Sequence, residues 1–197
     1  MTETKRMKIV VTYALPSEEV EISWPEAELV TVFTDVGKVK AAIAVTHALH
    51  TEKPDLVLNV GTAGTINHSV GDIIAGSTYI DRDYAPLGLP GIEWQFASEG
   101  GSLGLPSVID GREQTGSFAI STGDNFVTRD THFGADAIDM EAVAELQACQ
   151  AAGIPFVAVK YIADIVGSNS VEVWQSRLAA ARKALAAYFR NYRPSSL

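Results

Sequence analysis

Carboxylates in this sequence recur where one apolar element gives way to the next. Asp139 and Glu141 stand just before a run with apolar residues at Val143, Leu146 and Cys149, and Asp164 closes the run Phe156–Ile162. Glu18 and Glu19 follow the apolar run Lys8–Tyr13. Carboxylates held in different environments can divide the work of a general acid and a general base. Each also has a plainer reading. An acid at a helix start is favoured by the helix dipole, so Asp139 and Glu141 could be caps. Glu18 and Glu19 could be solvated loop charges, and Asp164 could be a turn former beside Ser168 and Asn169. Asp164 is the hardest to dismiss, because ligands in open α/β sheets bind beyond the carboxyl ends of strands.

Other residue patterns carry less. His47 and His50 are three apart, but no acid or cysteine accompanies them, so a helix surface is the expected setting and no metal site is expected. Gly61 and Gly64 would let backbone N–H groups approach a ligand in a turn, yet the pattern is neither a P-loop nor a dinucleotide fingerprint. Phe126 sits in the polar stretch Gly123–Asp130, where it either packs on the core or stacks on a flat ligand.

The elements that must position these groups follow from periodicity. Lys8–Tyr13, Leu29–Thr34, Pro54–Gly64, Asp72–Ile80, Ser117–Thr122 and Phe156–Ile162 read as strands. Ser17 is a candidate cap in the turn after the first. Val36–His50 reads as a turn into an amphipathic helix, and Val171–Tyr192 as a helix with Trp174, Leu178, Ala181, Leu185 and Tyr188 on one face. The stretch from Ala135 reads as a helix that Glu141 opens and Gly153 stops, with Pro155 barring continuation. Asp83–Ser107 loses periodicity, is dense in Gly and Pro, and carries Trp94 and Phe96, the pattern of a lid or a subunit contact. Alternating strands and helices predict a three-layer α/β/α domain spanning 1–197. The short link between Pro54–Gly64 and Asp72–Ile80 leaves no room for a helical crossover, so the central sheet should be mixed and twisted.

Composition narrows the partners. Of 197 residues, 47% are hydrophobic, enough for one sizeable core. A formal charge of −9 argues against nucleic acid. Cys149 is the single cysteine, so no intrachain disulfide can form and a reducing compartment is expected. No apolar run reaches membrane-spanning length and the first residues lack a signal-peptide pattern. A cytoplasmic protein is the expectation.

Five motifs, taken in order, carry a resemblance: Asn59–Gly64, Val70–Ile74, Ser121–Val127, Asp139–Ala142 and Ile162–Ile165. Together they resemble the nucleoside phosphorylase/nucleosidase superfamily, and most of all its 5′-methylthioadenosine/S-adenosylhomocysteine nucleosidases, over nearly the whole chain. The resemblance implies that Glu18 activates the attacking water and that Asp164 protonates or hydrogen-bonds purine N7. It implies that Met140 packs under the ribose, Glu141 grips the ribose hydroxyls and Thr62 lies near ribose and water. Phe126 would stack on the base, Val127 would offer backbone contacts to its edge, and Leu15, Val36 and Trp174 would line the 5′-substituent pocket. Three positions depart from the pattern: Asp139 replaces Glu, Lys160 replaces an Arg that helps hold water and Glu141, and Ala163 replaces Ser or Thr.

The implied reaction is hydrolysis of the N-glycosidic bond of a 5′-substituted adenosine, without a cofactor, in a homodimer. Bond cleavage builds negative charge on the base and positive charge on the ribose, so an acid is needed at N7 and a base for water on the opposite face. A phosphorylase or futalosine-type hydrolase of the same superfamily, or a nucleoside-binding protein without turnover, are the competing expectations.

Overall fold

The computed structural model describes residues 6–125, 127, 133–167 and 171–195. Its strands are β1 (Met7–Tyr13), β2 (Ala27–Phe33), β3 (Leu56–Thr65), β4 (Ile73–Ala75), β5 (Thr78–Asp81), β6 (Gln95–Ala97), β7 (Ser107–Ile109), β8 (Arg112–Gln114), β9 (Ala119–Thr122), β10 (Ala137–Asp139) and β11 (Phe156–Ile165). Its helices are α1 (Lys38–Glu52), α2 (Ala142–Ala152) and α3 (Val171–Asn191).

β3 is the axis of the sheet. β11 runs parallel along one edge of β3 for its whole length, while the other edge is shared: parallel β1 takes Leu56–Asn59, and antiparallel β10 meets Gly64. The path β6-β5-β9-β10-β3-β11-β4-β7-β8, with β2 and β1 branching from β3, combines parallel and antiparallel pairs, as the short β3–β4 link requires.

Side chains alternate between two cores, as the period of a strand demands. Ile9, Val11, Leu56 and Leu58 pack with Ala181, Leu185 and Phe189 of α3. Val10 and Val57 face the other way, against Val45 of α1 and Val143, Leu146 and Cys149 of α2. The predicted three-layer mixed α/β fold is the observed one.

Several boundaries differ from the expectation. β3 does not turn at Gly61 and Gly64 but continues through both to Thr65. The expected strand Asp72–Ile80 is two strands broken at Gly76, where a Cβ would come within 2.6 Å of Ile120 Cδ1. The helix expected to open at Glu141 does begin at Ala142, but the residues before it are not helical: Ala137–Asp139 pairs with β9 as a short strand. Asp83–Ser107 is no bare loop: it holds a short 3-10 turn at Ala85–Leu87, strand β6 on β5, and Trp94 packed on Phe133. Ser17 caps nothing; Leu15 precedes the 3-10 turn Pro16–Glu18 and no side chain bonds its start. Gly153 does end α2, left-handed at φ 68°, and its N–H returns to the Gln150 carbonyl at 3.1 Å. His47 and His50 are exposed on α1.

Candidate active site

Beyond the carboxyl ends of β1 and β3 lies a cavity of about 260 Å³, walled by Leu15, Glu18, Val36, Thr62, Met140, Glu141, Asp164 and Trp174, together with Ala14, Ala63, Gly64, Ile138 and Asp139. Eight sequence candidates therefore meet around one space. Lys160 and Val127 are buried and do not line it. Phe126, like Ser168 and Asn169, lies outside the described residues.

Glu18 is buried, which excludes the solvated-charge reading; Glu19 beside it is exposed. Its Oε1 accepts from the Thr62 backbone N–H at 3.0 Å and the Thr62 hydroxyl at 2.7 Å. The 3-10 turn carries Glu18 over Gly61, where a Cβ would sit 3.3 Å from Oε1. Asp164 sits closer still to Gly64, where a Cβ would lie 3.0 Å from Oδ1, on β11 just past a bulge between Ile162 and Asp164. The two glycines thus leave room for two carboxylates rather than a turn. Along β3 the two glycines are three steps apart, roughly 10 Å.

Asp139 and Glu141 divide between the two readings open to them. Asp139 does cap α2: its Oδ2 accepts from Ala142 N at 3.1 Å. It also pairs with Lys160 Nζ at 2.9 Å and accepts from the Thr122 hydroxyl at 2.5 Å. Glu141 occupies the cap position without a capping bond and reaches instead to the Gly37 N–H at 3.0 Å. Gly37 presents that N–H from φ 101°, a backbone state that side chains resist. Burial, then repulsion from Asp139, push the Glu141 carboxyl up to about 7, with Lys160 and the Gly37 N–H opposing.

Lys160 is wholly enclosed. Burial works against its charge, yet Asp139, Glu141 and Glu145 more than offset that and hold its pKa above the ordinary value. So Lys160 neutralises the carboxylate wall from behind.

Three polar features escaped the sequence reading. Glu145, inside α2, accepts from Thr12 Oγ1 at 2.6 Å and Asn59 Nδ2 at 2.8 Å, and burial pushes its carboxyl up to about 8. Buried Arg82 donates to the carbonyls of Ser121, Gly123, Asn125 and Asp139, gathering the ends of β9 and β10 with the loop leading to Val127. Arg177 of α3 donates to the Ala163 carbonyl, fastening that helix beside Asp164. Each links segments remote in sequence, and no local pattern signals them.

Among the described residues no group of three or more His, Cys, Asp or Glu is placed to hold a metal ion, and no helix is long and apolar enough to cross a membrane.

The phosphorylase superfamily model matches residues 12–93 and 108–192. The 5′-methylthioadenosine/S-adenosylhomocysteine nucleosidase of Staphylococcus carnosus is 30% identical over 176 residues, 80% of this chain and 77% of that protein. The enzyme of the same name from Bacillus subtilis is 31% identical over 166 residues, 73% and 71% of the two chains. Among solved structures, the Helicobacter pylori nucleosidase with butyl-thio-DADMe-Immucillin-A superposes with a TM-score of 0.77 at 16% identity, covering 94% of this chain and 97% of that one. The Streptococcus pyogenes S-adenosylhomocysteine nucleosidase with 5-methylthiotubericidin gives 0.73 at 21%, covering 96% and 99%. At these identities the superpositions establish a common fold.

Proposed function

The chain belongs to the phosphorylase superfamily and to its 5′-methylthioadenosine/S-adenosylhomocysteine nucleosidases, and we propose that it hydrolyses the N-glycosidic bond of such 5′-substituted adenosines to adenine and the thioribose product. One observation carries this reading. Glu18 and Asp164 line a single cavity from opposite ends of the Gly61–Gly64 stretch, leaving space between them for a nucleoside and a water.

In this scheme Asp164 gives a proton or hydrogen bond to purine N7 as the glycosidic bond breaks. Glu18 takes a proton from the water that attacks the anomeric carbon. Glu141 accepts from the ribose hydroxyls, Met140 packs under the sugar, and Leu15, Val36 and Trp174 enclose the 5′ group. Phe126 and Val127 belong to the base side. Lys160 acts at a distance, through Asp139.

Hydrolysis rather than phosphorolysis is supported by the charges on the wall. Among the described residues, its ionisable groups are Glu18, Asp139, Glu141 and Asp164, with no arginine or lysine. A phosphate dianion needs cationic or backbone donors, and Glu18 at the water position would repel it.

The working form is a cytoplasmic homodimer in this reading. Tyr84, Leu87, Leu89 and Ile92 are all about half exposed on the segment after β5, an apolar surface suited to a second copy. Light scattering that finds a fully active monomer would overturn the assembly.

The test of function is incubation with 5′-methylthioadenosine, S-adenosylhomocysteine, inosine and futalosine, with and without phosphate. Adenine release at a rate indifferent to phosphate is expected. A rate proportional to phosphate, with ribose 1-phosphate as product, would replace hydrolysis by phosphorolysis.

A further inference from the structure

Trp174, in the first turn of α3, does more than wall the cavity. Its indole Nε1–H donates to Thr62 Oγ1 at 2.8 Å, and that hydroxyl lies 2.7 Å from Glu18 Oε1. The chemistry of the three groups sets the direction of this chain. An indole nitrogen only donates, an ionised carboxylate only accepts, and a hydroxyl has one proton. Trp174 therefore gives to Thr62, and Thr62 gives to Glu18. With the Thr62 backbone N–H on the same oxygen at 3.0 Å, two donors occupy Oε1 and leave proton acceptance from water to Oε2.

We propose that Trp174 is a positioning residue for Glu18, and that through it the 5′ substituent of the nucleoside sets the orientation of the water-activating carboxylate. The proposal rests on the nucleosidase reading. The same indole lines the cavity, on the side that this reading gives to the 5′ group, and anchors the hydroxyl that holds Glu18. A 5′-thio group packed on the ring excludes water and keeps the indole N–H on Thr62. A 5′-hydroxyl leaves the ring wetted, and water competes for that N–H. Discrimination between 5′ groups then enters kcat as well as KM, because the contact acts on the reacting water rather than on binding alone.

Trp174→Phe keeps an aromatic wall, of smaller area, and removes the donor; the Thr62 variants separate the two losses. With 5′-methylthioadenosine the expected result is a fall in kcat of roughly three- to tenfold, the worth of one hydrogen bond, with KM changed by less than about twofold. Thr62→Val should lower kcat at least as far, and Thr62→Ser, which restores the hydroxyl, should recover most of it. Adding Trp174→Phe to Thr62→Val should change kcat by less than about twofold, since both break one chain. An unchanged kcat in Trp174→Phe, a loss confined to KM, or losses that multiply in the double variant would overturn the proposal.

A second measurement needs no turnover. In ¹⁵N-labelled protein, Thr62→Val should shift the Trp174 indole N–H resonance and quicken its hydrogen exchange. The Trp24 signal, whose N–H bonds the Phe189 carbonyl at 3.1 Å, should stay in place. An unmoved Trp174 resonance overturns the chain of hydrogen bonds. A native enzyme that cleaves no nucleoside of the panel yet shows the shift overturns the nucleosidase reading instead.

Discussion

Gly64 of β3 and Asp164 of β11 are register partners so close that a Cβ on the glycine would lie 3.0 Å from Asp164 Oδ1. The neighbour that must give way is the proposed acid itself. Gly64→Ala should displace that carboxyl by a few tenths of an ångström and lower kcat by roughly tenfold or more, with little change in melting temperature. Gly61→Ala crowds Glu18 less, at 3.3 Å, and should lose less activity. Steady-state kinetics beside thermal melts checks the ordering; a fully active Gly64→Ala enzyme would contradict it.

Asp164→Asn preserves shape and hydrogen-bonding capacity but removes the proton. If Asp164 is the leaving-group acid, kcat should fall by roughly a hundredfold or more while KM changes little. If it is a turn former only, much of the activity should survive. A folded variant with near-native kcat would take the leaving-group acid out of the scheme.

Glu145 makes stability depend on pH. Burial raises its carboxyl to about 8, so between the unfolded value of 4.5 and that pH the native protein binds more protons than the unfolded chain. Stability should therefore fall as pH rises through this window, and Glu141, raised to about 7, adds in the same direction. Glu145→Gln retains partners for Thr12 and Asn59 and removes the charge. It should flatten the decline and melt several degrees above the native protein at about pH 8.5, with little difference at about pH 5. Melting curves across this range decide; a native stability that climbs toward pH 8 would refute the argument.

Lys160→Met would leave the buried Asp139 carboxylate without its cation, beside two further carboxylates. Breaking such a pair costs about 3–5 kcal/mol, which urea denaturation would register. Lys160→Arg keeps the charge and should retain most of that stability. A Lys160→Met protein as stable as the native one would mean that Asp139 is neutral.

Much of the fold and part of the site were legible from residue order. The long strands β1, β3 and β11 and the stop of α2 at Gly153 are written in apolar runs and in one left-handed glycine. The mixed sheet follows from the few residues between β3 and β4. Acids at the ends of elements mark Glu18, Glu141 and Asp164 as candidates, and the resemblance carried by the five motifs is what joins them in one site.

Tertiary structure alone decided the rest. β6, β7, β8 and β10 are three residues each, too short to show a period, and exist because neighbouring strands offer hydrogen bonds. Asp139 and Glu141 share a local setting, yet one became a cap and a partner of Lys160 while the other turned to Gly37. Glu145 looks like a surface position of a helix but is wholly buried, satisfied by Thr12 and Asn59 from strands 133 and 86 residues away. Periodicity records which face of an element is apolar. Which polar groups meet inside depends on which strands become neighbours, and that is settled only when the whole sheet closes around β3.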